Sequence, residues 1–193
     1  VLPRWYEYRE LERYLAELNE TGADALIVAS PGVLASAKRW APRLDLHIST
    51  QAAAASHADC LAWAAMGARR VVLSRELTLE EISEIAKRVA GEVELEVFVH
   101  GSMCVSWSGR CLLSAALAGK ERDACRGSCA QPCRWNYRLY ETVYTLEEEK
   151  RPGVRIPIEE NERGTFIMSS KDLCMIDHIP ELCQSGVASL KIE

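Results

Sequence analysis

At 193 residues and 48% hydrophobic content, the chain can hold one domain with a sizeable core. A net charge of −5 gives no sign of the basic face expected of a nucleic-acid binder, and no run of about 18 apolar residues offers a membrane span. The start VLPRWYEYRE lacks the basic and apolar regions of a secretory signal, so the chain is expected to be cytoplasmic; without a Met, and ending directly after LKIE, it reads as a piece of a longer protein.

Taken in order, residues 4–21 set Tyr8, Leu11, Leu15 and Leu18 on one helical stripe that Gly22 closes. ADALIVAS (23–30) is a short buried strand, and Pro31-Gly32 turns into a helix over VLASAKRWA. LDLHIST (44–50) is a second strand, followed by a helix AAAASHADCLAWAAMG that Gly67 ends. RRVVLSRE (69–76) is a third strand. Thr78 caps the helix TLEEISEIAKRVAG, and Glu81 completes a capping box. VELEVFVHG (93–101) is a fourth strand. A cysteine-rich segment (101–137) and a polar excursion (138–164) come next; Glu147-Glu148-Glu149 and Glu159-Glu160 there read as solvated surface. GTFIMSSKD (164–172) and VASLKIE (187–193) are two more strands around a short helix, IPELCQSG.

Strand–helix alternation with short joints predicts six parallel strands in an α/β fold. No Gly-rich phosphate turn follows any strand, which disfavours a dinucleotide-binding sheet. Polar groups recur at C-terminal strand ends: Ser49-Thr50-Gln51, Ser74-Arg75-Glu76, His100-Gly101, Ser169-Ser170-Lys171-Asp172, and Lys191 with Glu193. A barrel gathers such positions into one ring where chemistry is done, so a partial (β/α)8 TIM-like barrel with a cysteine-rich insertion is expected, its first strands missing.

Five of the eight cysteines (Cys104, Cys111, Cys125, Cys129 and Cys133) fall within thirty residues. In a signal-less α/β chain this density points to metal ligands or reactive thiols rather than disulfides. Ser108 can cap a helix RCLLSAALAG, placing Cys111 near its start, where free N–H groups favour a thiolate. Gly127 and Pro132 argue that Cys125, Cys129 and Cys133 lie on a loop. Irregular spacing with only His100 nearby suits iron–sulfur ligation better than structural zinc.

FVHGSMCVSWSGRCLLS, RGSCAQPCRW, HISTQ, VVLSREL and MSSKDLCMIDHIPEL…GVASLKIE together resemble the collagenase-like peptidase family U-32, over nearly the whole chain. The resemblance implies RNA hydroxylation, forming 5-hydroxyuridine at the tRNA wobble position or 5-hydroxycytidine in ribosomal RNA; relatives hydroxylate quinone precursors. It implies a 4Fe–4S cluster on Cys104, Cys111, Cys129 and Cys174, with Cys125 and Cys133 as substitutes. For the tRNA branch it implies prephenate as a small carboxylate partner, and a redox partner is expected for the cluster. Cys125 stands where the family usually has Asn, and Trp107 where it has Tyr. RNA contact is expected mainly from parts beyond this chain.

Other residues carry plainer expectations. Cys60 and Cys183 read as core thiols, Cys133 as a packed thiol, His47 and His57 as structural, and His178 as a helix-entry residue. His100 ends a strand near Cys104 and is a candidate for proton transfer. Arg75 with Glu76, and Lys191 with Glu193, read as rim ion pairs or carboxylate clamps. Two alternatives compete with RNA hydroxylation. One is a peptidase, for which there is no HExxH or GxSxG and only Cys104 or Cys111 with His100 offers a nucleophile. The other is a zinc-stapled, non-catalytic scaffold.

Overall fold

The computed structural model describes residues 2–135 and 172–193, and between them only the backbone of four short strands. A 3₁₀ turn (Trp5–Glu7) leads into α1 (Tyr8–Leu18). There follow β1 (Ala25–Val28), α2 (Pro31–Trp40), β2 (Asp45–Ile48), α3 (His57–Ala65), β3 (Arg70–Val72), α4 (Leu79–Val89) and β4 (Glu94–Gly101). Local chemistry sets these boundaries. Pro31 sits in the first turn of α2, where its missing N–H is no loss. The Ser56 hydroxyl accepts from the Asp59 N–H at the start of α3. Thr78 and Glu81 cap α4 reciprocally, as their spacing predicts.

After β4 the chain passes through α5 (Leu113–Ala118) and three 3₁₀ turns ending at Arg134. Four short strands come next: β5 (Thr145–Glu147) pairs with β6 (Arg155–Pro157), and β7 (Glu159–Asn161) with β8 (Gly164–Phe166), both antiparallel. Then come β9 (Leu173–Cys174), α6 (Ile179–Ser185) and β10 (Ser189–Ile192).

The main sheet has the order β1-β2-β3-β4-β10, every neighbouring pair parallel, with β9 antiparallel against the end of β4. This corrects the expected strand over 164–172. Gly164–Phe166 forms a separate hairpin ladder, and it is Leu173–Cys174 that reaches the sheet, in the opposite sense. Ser169, Ser170 and Lys171 lie outside the described residues, as does most of the polar stretch 138–164.

Alternation along each strand divides the sheet into two faces. Leu46, Ile48, Val71, Leu73, Leu95, Val97 and Val99 join one apolar core with residues of α1, α2, α3, α4 and α6. All five helices therefore cover the same face, and the strands follow one another without a reversal of order. The other face carries charge. The Arg70 guanidinium donates to Glu94 at 2.6 Å and to Glu96 at 3.2 Å, and Lys191 Nζ lies 3.4 Å from Glu96. Burial pushes the Glu96 carboxyl up, but the Ser189 hydrogen bond with Lys191 and Arg70 outweighs it and holds the group below its ordinary range. His47 shares this face; burial, then the Arg70 charge, lowers its pKa.

Cys60 is fully buried in α3, as expected of a core thiol. Cys183 is not: α6 buries Leu182 and turns the neighbouring Cys183 to solvent, so the core assignment for that residue is corrected. His178 stands directly before α6, the helix entry predicted for it.

Candidate functional site

Beyond the C-terminal ends of β2, β3, β4 and β10 lies a cleft of about 520 Å³. Phe98 lines it from β4, flanked by two cations: the Arg75 guanidinium carbon is 5.4 Å and Lys191 Nζ 5.3 Å from the ring centroid. Arg75 donates to the Ser102 carbonyl at 3.1 Å and to the Glu193 carboxylate at 3.3 Å. Its side chain is only 10% exposed, and its Nε–H, fully buried, has no partner among the described residues.

These contacts correct the expected ion pairs. Arg75 pairs with Glu193 rather than Glu76, and Lys191 with Glu96 rather than Glu193. Glu76 has a different task. Its carboxylate accepts from the Ser108 N–H at 2.7 Å and from the Ser108 hydroxyl at 3.0–3.1 Å. That anchors the cysteine-rich segment to the end of β3, and the turn after β2 supplies two more ties. The Thr50 hydroxyl lies 3.4 Å from Ser108 Oγ, and Gln51 Nε2 donates to the Ala124 carbonyl at 3.2 Å. The approach is so close that a Cβ on Gly109, which has φ of +72°, would stand 2.2 Å from the Gln51 carbonyl oxygen.

Because Ser108 is held by Glu76, it caps no helix. The helix begins at Leu113, two residues beyond Cys111, which corrects the predicted start. Cys111 is buried and Cys104 half-buried, both lining the cleft. Within the following turns, Ser114, fully buried, donates to the Arg122 carbonyl and accepts from the Ala130 N–H at 2.8 Å. This places Cys129 on the same lining, its sulfur accepting from the Gln131 N–H at 3.3 Å. Cys133 completes the lining, its thiol pushed up by burial and then by Cys104.

Two candidate ligands stand apart from the cleft lining. Cys125 donates its thiol to the Gly109 carbonyl at 3.8 Å, and burial followed by the Asp123 charge raises its pKa. Cys174 is exposed on β9, directly across the ladder from His100. Arg134 links the two neighbourhoods, donating to the carbonyl of Met103 beside Cys104 and to Asp172, two residues before Cys174. The His100 ring is exposed at the end of β4, outside the lining, and no hydrogen bond joins it to a cysteine among the described residues. Among the described residues no three His, Cys, Asp or Glu side chains converge on a point that would hold one metal ion. The thiols ring the cleft instead. Density singled out Cys104, Cys111, Cys129 and Cys133, and strand-end position Thr50 and Gln51, but nothing singled out the anchors Ser114 and Arg134, which carry no local motif.

A family model described as peptidase family U32 matches residues 1–193. The chain belongs to that family. The U32 chain is 37% identical to tRNA hydroxylation protein P of Escherichia coli, across all of this chain and 49% of that protein. It is 34% identical to the 23S rRNA 5-hydroxycytidine C2501 synthase of the same organism, across 97% of this chain and 25% of that protein. The chain thus spans about half the length of the first relative and a quarter of the second. The solved structure of the U32 peptidase Mk0906 superimposes with a TM-score of 0.51 at 18% identity, across 98% of this chain and 62% of that one, which establishes the shared α/β fold.

Proposed function

We propose that this U32 chain is the catalytic core of an enzyme that hydroxylates a pyrimidine in tRNA or ribosomal RNA. The observation that carries this reading is a cleft lined by Cys104, Cys111, Cys129 and Cys133 and flanked by Arg75 and Lys191, in a chain 37% identical over its whole length to a tRNA hydroxylation protein. Sequential strand order with helices on one face supports a partial (β/α)8 barrel whose site is this C-terminal mouth.

Thiols that ring a cleft without converging suit a multi-iron cluster better than a single zinc ion, whose ligands must crowd to about 2.0–2.3 Å from it. Cys104, Cys111 and Cys129 would hold a 4Fe–4S cluster, with Cys174 as the fourth ligand and Cys133 as its substitute from within the lining. When bound, the cluster supplies electron transfer. The Gln131 N–H, donating to the Cys129 sulfur, orients it, and Arg134 keeps the Cys104 and Cys174 segments together. Arg75, whose Nε–H has no partner among the described residues, and Lys191 would receive a small carboxylate such as prephenate against the Phe98 face. His100 would act only at the rim. No hydrogen bond joins it to Cys104 or Cys111 among the described residues, which disfavours the peptidase reading built on those pairs.

Two measurements test this. Hydroxylated-nucleoside profiling of total RNA from a deletion strain is expected to lose one hydroxylated pyrimidine, restored by the wild-type gene and not by Cys104→Ser. Anaerobically purified protein is expected to carry about four irons per chain. An unchanged nucleoside profile together with an iron-free protein would sink the proposal.

A further inference from the structure

We infer that the outer surface of the cysteine-rich segment, with the adjoining Trp5–Glu7 turn, is where the protein binds RNA, stacking unpaired bases on Trp107 and Trp5. This rests on the proposed RNA hydroxylation and specifies the surface that serves it. Whole-chain charge conceals a segregation. Residues 101–135 hold five Lys or Arg against two Asp or Glu, a net of +3, so the rest of a chain of net −5 carries −8. Of the five cations, Arg126 and Arg134 are engaged by Glu7 and Asp172. Arg110, Lys120 and Arg122 are exposed and make no ion pair among the described residues. An approaching polyanion is repelled by the rest of the molecule and attracted here.

The same surface exposes large aromatic rings: Trp5 is 86% and Trp107 50% exposed. A single exposed ring is ordinary, but rings beside unpaired cations are what single-strand binding uses, bases stacking while cations follow the backbone. A run of direct contacts links the two rings. The Trp107 carbonyl accepts from the Arg110 N–H; the Gly109 carbonyl accepts from Cys125; the Cys125 carbonyl accepts from the Leu2 N–H; and Arg126 clamps Glu7, in the same turn as Trp5. Trp107 also falls in the sequence between Cys104 and Cys111, both of which line the cleft.

The test uses the full-length protein and a fluorescently labelled RNA stem–loop with an unpaired pyrimidine-rich loop, followed by anisotropy. Trp107→Ala and Trp5→Ala are each expected to weaken binding about tenfold, the Phe variants to retain most of it, and Arg110→Glu to flatten the salt dependence. Bound iron and the thermal midpoint, measured in parallel, report folding. Wild-type affinity in the Trp5→Ala, Trp107→Ala double variant overturns this surface while leaving RNA hydroxylation standing. Equal losses in the Phe and Ala variants, or a changed oligomeric state with unchanged RNA affinity, overturn it too. A wild-type protein that neither binds the RNA nor supports a hydroxylated nucleoside in cells overturns both proposals.

Discussion

The sheet with its helices and the cysteine-rich segment above it are held together by different forces. The sheet region buries more than twenty apolar residues in one cluster, and its one buried carboxylate among the described residues, Glu96, is paired. In residues 102–135 the buried groups are few: Cys111, Ser108, Ser114 and Pro132. Two of these are serines, and each is saturated by partners distant in sequence. The scaffold is thus stabilised by non-directional burial, whereas the segment carrying the thiols is fixed by a handful of directional bonds to strand ends. Positioning chemistry with hydrogen bonds gives orientation at low stability, and that difference can be broken experimentally.

The largest effect belongs to the scaffold. Leu95→Ala removes a side chain that is 1% exposed at the centre of the core. It is expected to cost about 2–5 kcal/mol of global stability by denaturant unfolding, with the whole protein melting as a unit. Glu76→Ala comes next and acts elsewhere. It strands the buried Ser108 N–H and hydroxyl, each costing about 1–3 kcal/mol, but the loss falls on the cysteine-rich segment alone. Hydrogen exchange should accelerate across 104–130 while the sheet amides keep wild-type protection; uniform acceleration would show that the two regions are not separable. A smaller contrast is chemical. Burial, then the Asp59 charge, pushes the Cys60 thiol up to about 12, so alkylation of native protein near pH 8 should spare Cys60 and label exposed Cys183. Mass spectrometry of the labelled peptides checks it.

The same contrast explains what the sequence disclosed. Periodicity and capping report burial and local hydrogen bonds, so α4 with its Thr78–Glu81 box and the strand at 94–101 were legible almost to the residue. The thiols Cys104, Cys111 and Cys129 were legible through density, and they share one cleft. What escaped was non-local. Nothing near Ser108 announces that Glu76, thirty-two residues earlier, will claim it and so delay the helix to Leu113. Neither does alternation say that Arg75 will choose Glu193, 118 residues away, over its own neighbour. Cys183 failed for a simpler reason: one helical step separates it from the buried Leu182, and a short helix carries too few turns to fix its phase by pattern.

The smallest expected effect concerns the seam between the two regions at Glu7. Its hydrogen bonds to Arg126, then to the Arg4 N–H, lower its pKa to about 2, well under the ordinary carboxylate value of about 4.3. A depressed folded-state pKa means that the contact contributes fully above the unfolded value and is lost as pH falls from about 4.5 to about 2. The pair is about 30% exposed, so salt should weaken it in part as well. The consequence is local: the Leu2 amide, which donates to the Cys125 carbonyl, should lose protection across that window, and Trp5 emission should change with it. Glu7→Gln should abolish the pH step and leave the Leu2 amide exchanging fast at neutral pH, with sheet amides unmoved. Because Trp5 shares this turn, releasing it should also blunt the contribution of that ring to RNA binding while sparing that of Trp107. A Glu7→Gln protein that binds RNA like the wild type but becomes weaker on further Trp5→Ala substitution would show that the ring works without its tether.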